Sequence, residues 1–92
     1  MKYEWDEKKN KINIQKHGIN FTDVQEMFDH PMLTAIDIRR DYGEDRWVGI
    51  GILKNIIAVV IFTEVDDSTI RIISVRKATK NERKKFEKAI KY

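Results

Sequence analysis

The sequence predicts an α+β fold: two N-terminal helices packed on one face of a four- to five-stranded antiparallel sheet, then a basic C-terminal helix. Three observations point there. Helix start and stop signals bracket the first thirty residues, while from Leu33 to Lys77 the apolar period shortens to two. The connections within that second stretch are too short for anything but antiparallel neighbours. Thr79 with Glu82 then forms a capping box that opens one more helix.

Each element follows from its residues. Lys2–Trp5 can add an edge strand. Asp6 is a suitable N-cap, and 7–17 reads as a helix closed by Gly18, with Ile19 making the hydrophobic contact that follows such a cap. Its apolar content is poor (Ile12 and Ile14, with Trp5 just before), so packing must hold it. Thr22 and Gln25 form a capping box for a second short helix whose Phe21, Val24, Met27 and Phe28 share a face. It stops near His30, because Pro31 disfavours helical geometry in the residue before it. Four strands are expected over about 33–40, 46–53, 56–64 and 69–77, separated by Asp41–Asp45, Lys54-Asn55 and Asp66-Asp67. The last helix carries Phe86, Ala89 and Ile90 on one stripe.

With 92 residues, 41% hydrophobic and 36% charged, the chain has room for one domain over 1–92 and one core. There is no cysteine, which excludes disulfide scaffolds, thiolate zinc sites and cysteine nucleophiles. His17 and His30 have no partners at ligand spacing, so no metal and no cofactor is expected. The opening MKYEWDEKKN has no apolar core region, and the longest apolar run, 56–62, is far short of the ~20 residues that span a bilayer. A cytoplasmic protein without a membrane partner is the expectation.

The net charge of +3 conceals an asymmetry. Residues 1–67 carry nine Lys/Arg against thirteen Asp/Glu, a balance of −4; residues 68–92 carry nine against two, a balance of +7. A basic block on the last quarter of a small domain suits a polyanion, most often nucleic acid, or is the solvated face of a terminal helix.

If Lys54-Asn55 and Asp66-Asp67 are two-residue turns, Leu53 faces Ile56 and Val65 faces Ser68. One sheet face then collects Ile36, Ile38, Val48, Ile50, Ile52, Ile57, Val59, Ile61, Ile70 and Ile72, to be covered by the N-terminal helices. The other gathers Asp37, Arg39, Trp47, Gly49, Gly51, Phe62, Glu64, Arg71 and Lys77 around Val60, Ile73 and Val75, with Phe86 and Ile90 able to close its middle. That mixed face is the expected binding surface.

On it, Glu64 and Arg71 meet diagonally and Arg39 neighbours Trp47. Guanidinium groups grip phosphate in a fork, and either Arg or Trp planes can stack on an unpaired base. Cleaving RNA without a metal needs a base for the 2′-OH, an acid for the leaving oxygen, and cations on the charged transition state. Glu64 or Lys77 can handle protons, with His17 ranked below them; Arg46, Arg71, Arg76 and Arg83 can bind phosphate; Arg39, Lys80 and Lys84 extend the basic surface and Trp47 stacks a base. Each has a plainer alternative: an exposed Glu–Arg pair, a core-edge tryptophan, a histidine favoured as a cation at a helix C-terminus, a solvated lysine series.

Trp5-Asp6, Lys16-His17-Gly18-Ile19 with Phe21, Gly43-Glu44-Asp45-Arg46-Trp47 with Ile50-Gly51, Ile70-Arg71-Ile72-Ile73-Ser74, and Arg76-Lys77-Ala78-Thr79 leading to Glu82-Arg83 together resemble the BrnT family, nearly end to end and in order. The resemblance implies a toxin of a bacterial type II toxin–antitoxin pair with a RelE-like ribonuclease fold. It also implies metal-independent endoribonuclease activity that arrests growth, with RNA as substrate. The implied partner is a BrnA antitoxin whose DNA-binding part lets the complex repress its own promoter. Val75 stands where the family often has Ala, and Phe86 where Tyr is common, so no hydroxyl is available there; Tyr92 is left as the alternative hydroxyl. A non-catalytic module of the double-stranded-RNA-binding type, or an interaction domain whose basic end meets an acidic protein, are the competing readings.

Overall fold

A computed structural model describes residues 1–39, 41 and 43–90. Strand β1 (Lys2–Glu4) leads into helix α1 (Glu7–His17). Asp6 caps α1 by accepting from the Lys8 and Lys9 amides, and Gly18 ends it at φ 68°, with its N–H on the Ile14 carbonyl at 2.8 Å. A 3-10 turn (Phe21–Asp23) and a short helix α2 (Gln25–Phe28) follow. The cap of this pair is Asn20, whose side chain accepts from the Thr22 amide, and not Thr22 as the sequence suggests. Strands β2 (Leu33–Ile36), β3 (Trp47–Leu53), β4 (Ile56–Asp66) and β5 (Thr69–Lys77) precede helix α3 (Lys80–Ala89). In α3 both halves of the Thr79–Glu82 capping box are formed.

The sheet runs β1-β5-β4-β3-β2. β2 to β5 form the expected antiparallel meander, and Leu53 does face Ile56. β1 pairs with β5 in parallel, so the sheet is mixed and not wholly antiparallel. β2 ends at Ile36, short of the expected 33–40 strand, whose last residue, Arg40, lies outside the described residues along with Tyr42, Lys91 and Tyr92; the proposed Tyr92 hydroxyl is therefore not located. The β4–β5 turn is one residue later than expected, at Asp67-Ser68, with Asp66 Oδ1 accepting from the Ser68 amide at 2.8 Å.

The register of β5 differs from the simple hairpin. Phe62 pairs with Ile72, but Ile61 pairs with Ser74, so Ile73 is an extra residue opposite one step of β4. A second irregularity lies between Glu64 and Asp66. Such bulges invert the side-chain alternation on one side of themselves.

This reverses the expected assignment of faces. The inner face carries Leu53, Ala58, Val60, Phe62, Ile70, Ile72 and Val75, packed with Phe21, Val24 and Met27 of the 3-10 turn and α2. The outer face carries Ile50, Val59 and Ala78, with Val48, Ile52 and Ile57 beside them, packed against Phe86 and Ile90 of the C-terminal segment. The glycines explain the choice. A Cβ at Gly51 would sit 2.7 Å from Met32 Cγ and one at Gly49 3.1 Å from Met32 Sδ, so the α2 segment presses onto the face where β3 lacks side chains.

Helix α1 packs against β5, and the α1 residues that are buried are polar: Asn10 and Asn13. Beyond the three residues of β1, Asn13 stands in for a neighbouring strand. Its Oδ1 accepts from the Val75 amide at 3.1 Å, while its Nδ2 donates to the Ile19 carbonyl at 3.0 Å. Asn10 Oδ1 accepts from the Phe21 amide at 2.8 Å. Replacing Asn13 by Ala leaves a buried amide and a carbonyl without partners, an expected loss of about 2–3 kcal/mol, to be read from urea unfolding; Lys11→Ala, exposed on the same helix, is expected to change stability by less than ~0.5 kcal/mol.

Candidate nucleic-acid interface

Side chains on the outer face line up in rows across the strands. Arg46, the residue before β3, lies opposite Asp37 at the end of β2, joined by the Asp37 amide to the Arg46 carbonyl at 2.7 Å. Thr63 of β4 neighbours this pair through its hydroxyl on the Asp45 carbonyl at 2.7 Å, and it pairs with Arg71 of β5, which pairs with Glu4 of β1. One row thus reads Asp37, Arg46, Thr63, Arg71, Glu4. The next rows bring Ala35, Val48, Ile61 and Ser74, then Leu33, Ile50, Val59 and Arg76. With strands about 4.8 Å apart, Arg46 and Arg71 are about 10 Å apart along their row. The bulge at Ile73 is what puts Arg71 and Arg76 on one face; five residues apart on a regular strand, they would point oppositely.

Every arginine of this surface holds a carboxylate of its own chain. Arg39 forks onto Asp37, with Nε–Oδ1 2.9 Å and a terminal nitrogen on Oδ2 at 2.8 Å; Asp37 is buried and also accepts the Arg39 amide. Arg46 approaches Glu44 at 3.5 Å, and Arg71 binds Glu4 at 2.7 Å. Arg76 and Glu82 form a two-point pair at 2.8 and 2.9 Å, and the same Glu82 accepts from the Thr79 amide to cap α3. The Arg76 hydrogen bond, aided by the Thr79 contacts, holds the Glu82 carboxyl at about 2. Glu82 in turn raises Arg76 above its ordinary value, while the positive charge of Arg39 nearby opposes it. Arg39 and Arg76, thirty-seven residues apart in sequence, therefore share one electrostatic neighbourhood. Within these pairs the Arg71 and Arg76 side chains stay partly exposed, at 47% and 41%.

The other expected site residues are distributed unequally. Arg83 is half-buried on α3, in the stripe of Glu82, Phe86 and Ile90 that meets the sheet, so it borders the same surface; Lys80 and Lys84 are exposed on the outer side of that helix. Lys77 pairs with Ala58 and leaves the sheet on the inner side, away from Arg76. Trp47 does not neighbour Arg39. It pairs with Ile36 and Phe62 and packs into the inner core, as a half-buried core-edge aromatic. Glu64 pairs with Ile70, not diagonally with Arg71, so the two leave the ladder on opposite sides. Near the second irregularity, however, a recess of about 430 Å3 is lined by Glu64, Arg71, Trp47, Thr63, Val65, Glu44 and Asp45. Glu64, Trp47 and Arg71 thus border one recess, although the ladder directs Arg71 to the other side of the sheet. His17 is exposed at the end of α1, beside β5.

Sequence reasoning missed Asp37, Glu4 and Glu82 as the carboxylates that orient the arginines. The Thr79–Glu82 capping box was visible in sequence, but its second use by Arg76 depends on the bulged register. Among the described residues, no group of three or more His, Asp or Glu side chains is placed to hold a metal ion, and no helix is long and apolar enough to cross a membrane.

Comparison with known proteins adds three findings. Residues 5–82 match the family model described as the ribonuclease toxin BrnT of type II toxin–antitoxin systems. The fold is similar to the 1.1 Å crystal structure of the Brucella abortus ribonuclease toxin BrnT, with 35% identity and a TM-score of 0.68, over 87% of this chain and 99% of that one. No curated protein matches the chain.

The Arg76–Glu82 pair has a measurable acid signature. A carboxyl depressed in the folded state stabilises above its unfolded value near 4.5 and loses that contribution as pH falls toward 2. Glu82→Gln is therefore expected to lower the melting temperature at pH 7 and to flatten its decline between pH 5 and pH 2, measured by circular dichroism.

Proposed function

The chain belongs to the BrnT family of ribonuclease toxins of type II toxin–antitoxin systems, and from that premise we propose that it is a metal-independent endoribonuclease whose outer sheet face binds RNA. The observation that carries the proposal is the convergence of Arg39, Arg46, Arg71 and Arg76 from separate strands and loops on that face, bordered by Arg83. The Arg71 and Arg76 forks are each pre-oriented by a carboxylate and remain partly exposed, the arrangement that grips phosphate without first ordering a long side chain.

In the proposed reaction the ribose 2′-oxygen attacks the adjacent phosphorus as its proton passes to a base. The P–O5′ bond breaks, leaving a 2′,3′-cyclic phosphate, and the departing 5′-oxygen takes a proton from water to become a 5′-hydroxyl. Arg71 and Arg46 neutralise the charge on the five-coordinate phosphorus, and Arg76 with Arg83 holds a neighbouring phosphate. Glu64 accepts the 2′ proton, since it lines the recess with Arg71. Trp47 presents its exposed edge to a base in that recess. Lys80 and Lys84 add charge at the rim. Lys77, on the inner side, and His17, beside β5, are assigned no proton in this scheme.

A cation surface of this kind also suits the acidic segment of an antitoxin, and the RelE-like grouping and a BrnA-type partner, with repression of the shared promoter by the complex, belong to the same proposal. The order of elements, with β1 and two helices before four strands, is not the helix–three-strand–helix order of a duplex-RNA-binding module.

Purified protein incubated with single-stranded RNA in excess chelator is expected to give fragments ending in cyclic phosphate. Arg71→Ala is expected to lower the cleavage rate by about 10²-fold or more at unchanged melting temperature. Intact RNA with the wild-type protein, or full activity in a folded Arg71→Ala variant, overturns the assignment.

A further inference from the structure

A second basic element lies outside the C-terminal block. Helix α1 carries Lys8, Lys9, Lys11 and Lys16 against Glu7 alone, a balance of +3 in a segment that is otherwise acidic. The charge sums over long stretches of sequence concealed it. Unlike the outer-face arginines, none of these lysines has a carboxylate within ion-pair distance among the described residues.

Two of them are directed by spacing. Lys9 and Lys16 are seven residues apart, two helical turns, and share a stripe with Ile12 and Asn13. Asn13 is fixed to the Val75 amide, so this stripe is the one turned to β5. There, Lys9, Ile12, Asn13, Lys16 and His17 enclose a recess of about 180 Å3 with Ile73 and Ser74. Those last two residues are the bulge itself, and Ser74 pairs with Ile61 in the row between Arg71 and Arg76. The recess therefore adjoins the arginine surface where the sheet gives way to α1.

We propose that this recess is a subsite for the RNA backbone outside the cleaved step: a phosphate sits between Lys9 and Lys16, with the Ser74 hydroxyl and the His17 ring as further donors. The strand then crosses β5 at the bulge and runs onto α1. The proposal rests on the RNA-directed reading above and deepens it, because it makes the length of the RNA matter. The recess lies beyond Arg71 as seen from Arg39 and Arg46, so a longer strand engages both the arginine rows and α1 while a very short one need not.

The test uses mixed-sequence 2′-O-methyl RNA, which binds but lacks the attacking hydroxyl, as a tetranucleotide and as a strand of about 20 nucleotides. Lys9→Gln/Lys16→Gln is expected to weaken the long strand at least fivefold and to reduce its log–log salt slope by about 1.4, two phosphates at ~0.7 each. Its affinity for the tetranucleotide stays as in the wild type. Lys8→Gln/Lys11→Gln removes the same charge from other faces of the helix and is expected to have the smaller effect on the long strand. Equal effects of the two double variants, or loss of affinity for the antitoxin with RNA binding intact, overturn the subsite. Failure of the wild-type protein to bind either RNA overturns the RNA-directed function itself.

Discussion

One extra residue in β5 decides what this surface can be. A strand alternates its side chains between two faces, and Arg71 and Arg76 are separated by an odd number of steps. Only the bulge, with Ile73 and Ser74 opposite Ile61, lets both guanidinium groups leave on the outer face while Ile70, Ile72 and Val75 all enter the inner core. The irregularity therefore serves packing and binding together. It also opens the step at which α1 meets the sheet, where Asn13 takes the Val75 amide in place of another strand.

The carboxylates give the surface its second property. Asp37, Glu4 and Glu82 come from different parts of the chain, and each holds one arginine fork. The exposed Arg71–Glu4 pair contributes little to stability, about 0–1 kcal/mol. Their value lies in orientation: the guanidinium planes are set before any ligand arrives, so less rotamer entropy is lost on binding. They also lower the local positive potential, leaving the lysines of α1 and α3, which have no ion pair among the described residues, as the long-range attraction for a polyanion.

Local signals in the sequence were legible because they act over three or four residues. Asp6, Gly18 and the Thr79–Glu82 box mark the limits of α1 and the start of α3, and the apolar period marks β3 to β5. What could not be read was the parity of the sheet. The apolar set Val48, Ile50, Ile52, Ile57 and Val59 does form one face, but its near-complete apolarity does not say which helices cover it: α3 does, while Met32 seats on Gly49 and Gly51 of the opposite face. The expected pairing of Arg39 with Trp47 fails on the β2–β3 register, in which Ile36 faces Trp47, and that of Glu64 with Arg71 on the shifted β4–β5 turn. The basic residues themselves were identifiable from charge; their common face was not, since it depends on Ile73. Family resemblance was carried by residues spread along the chain, and the match over residues 5–82 bears it out.

The central claim, that the bulged strand gathers the arginines into one RNA-binding face, is tested most directly by following arginine Nε–H signals in nuclear magnetic resonance spectra during titration with non-cleavable single-stranded RNA. Shifts are expected to concentrate at Arg39, Arg46, Arg71 and Arg76, with the Gly49 and Gly51 amides on β3 and the Met27 methyl of the inner core unmoved. Shifts centred on the inner core, or arginine signals that stay in place while RNA binds, would contradict it.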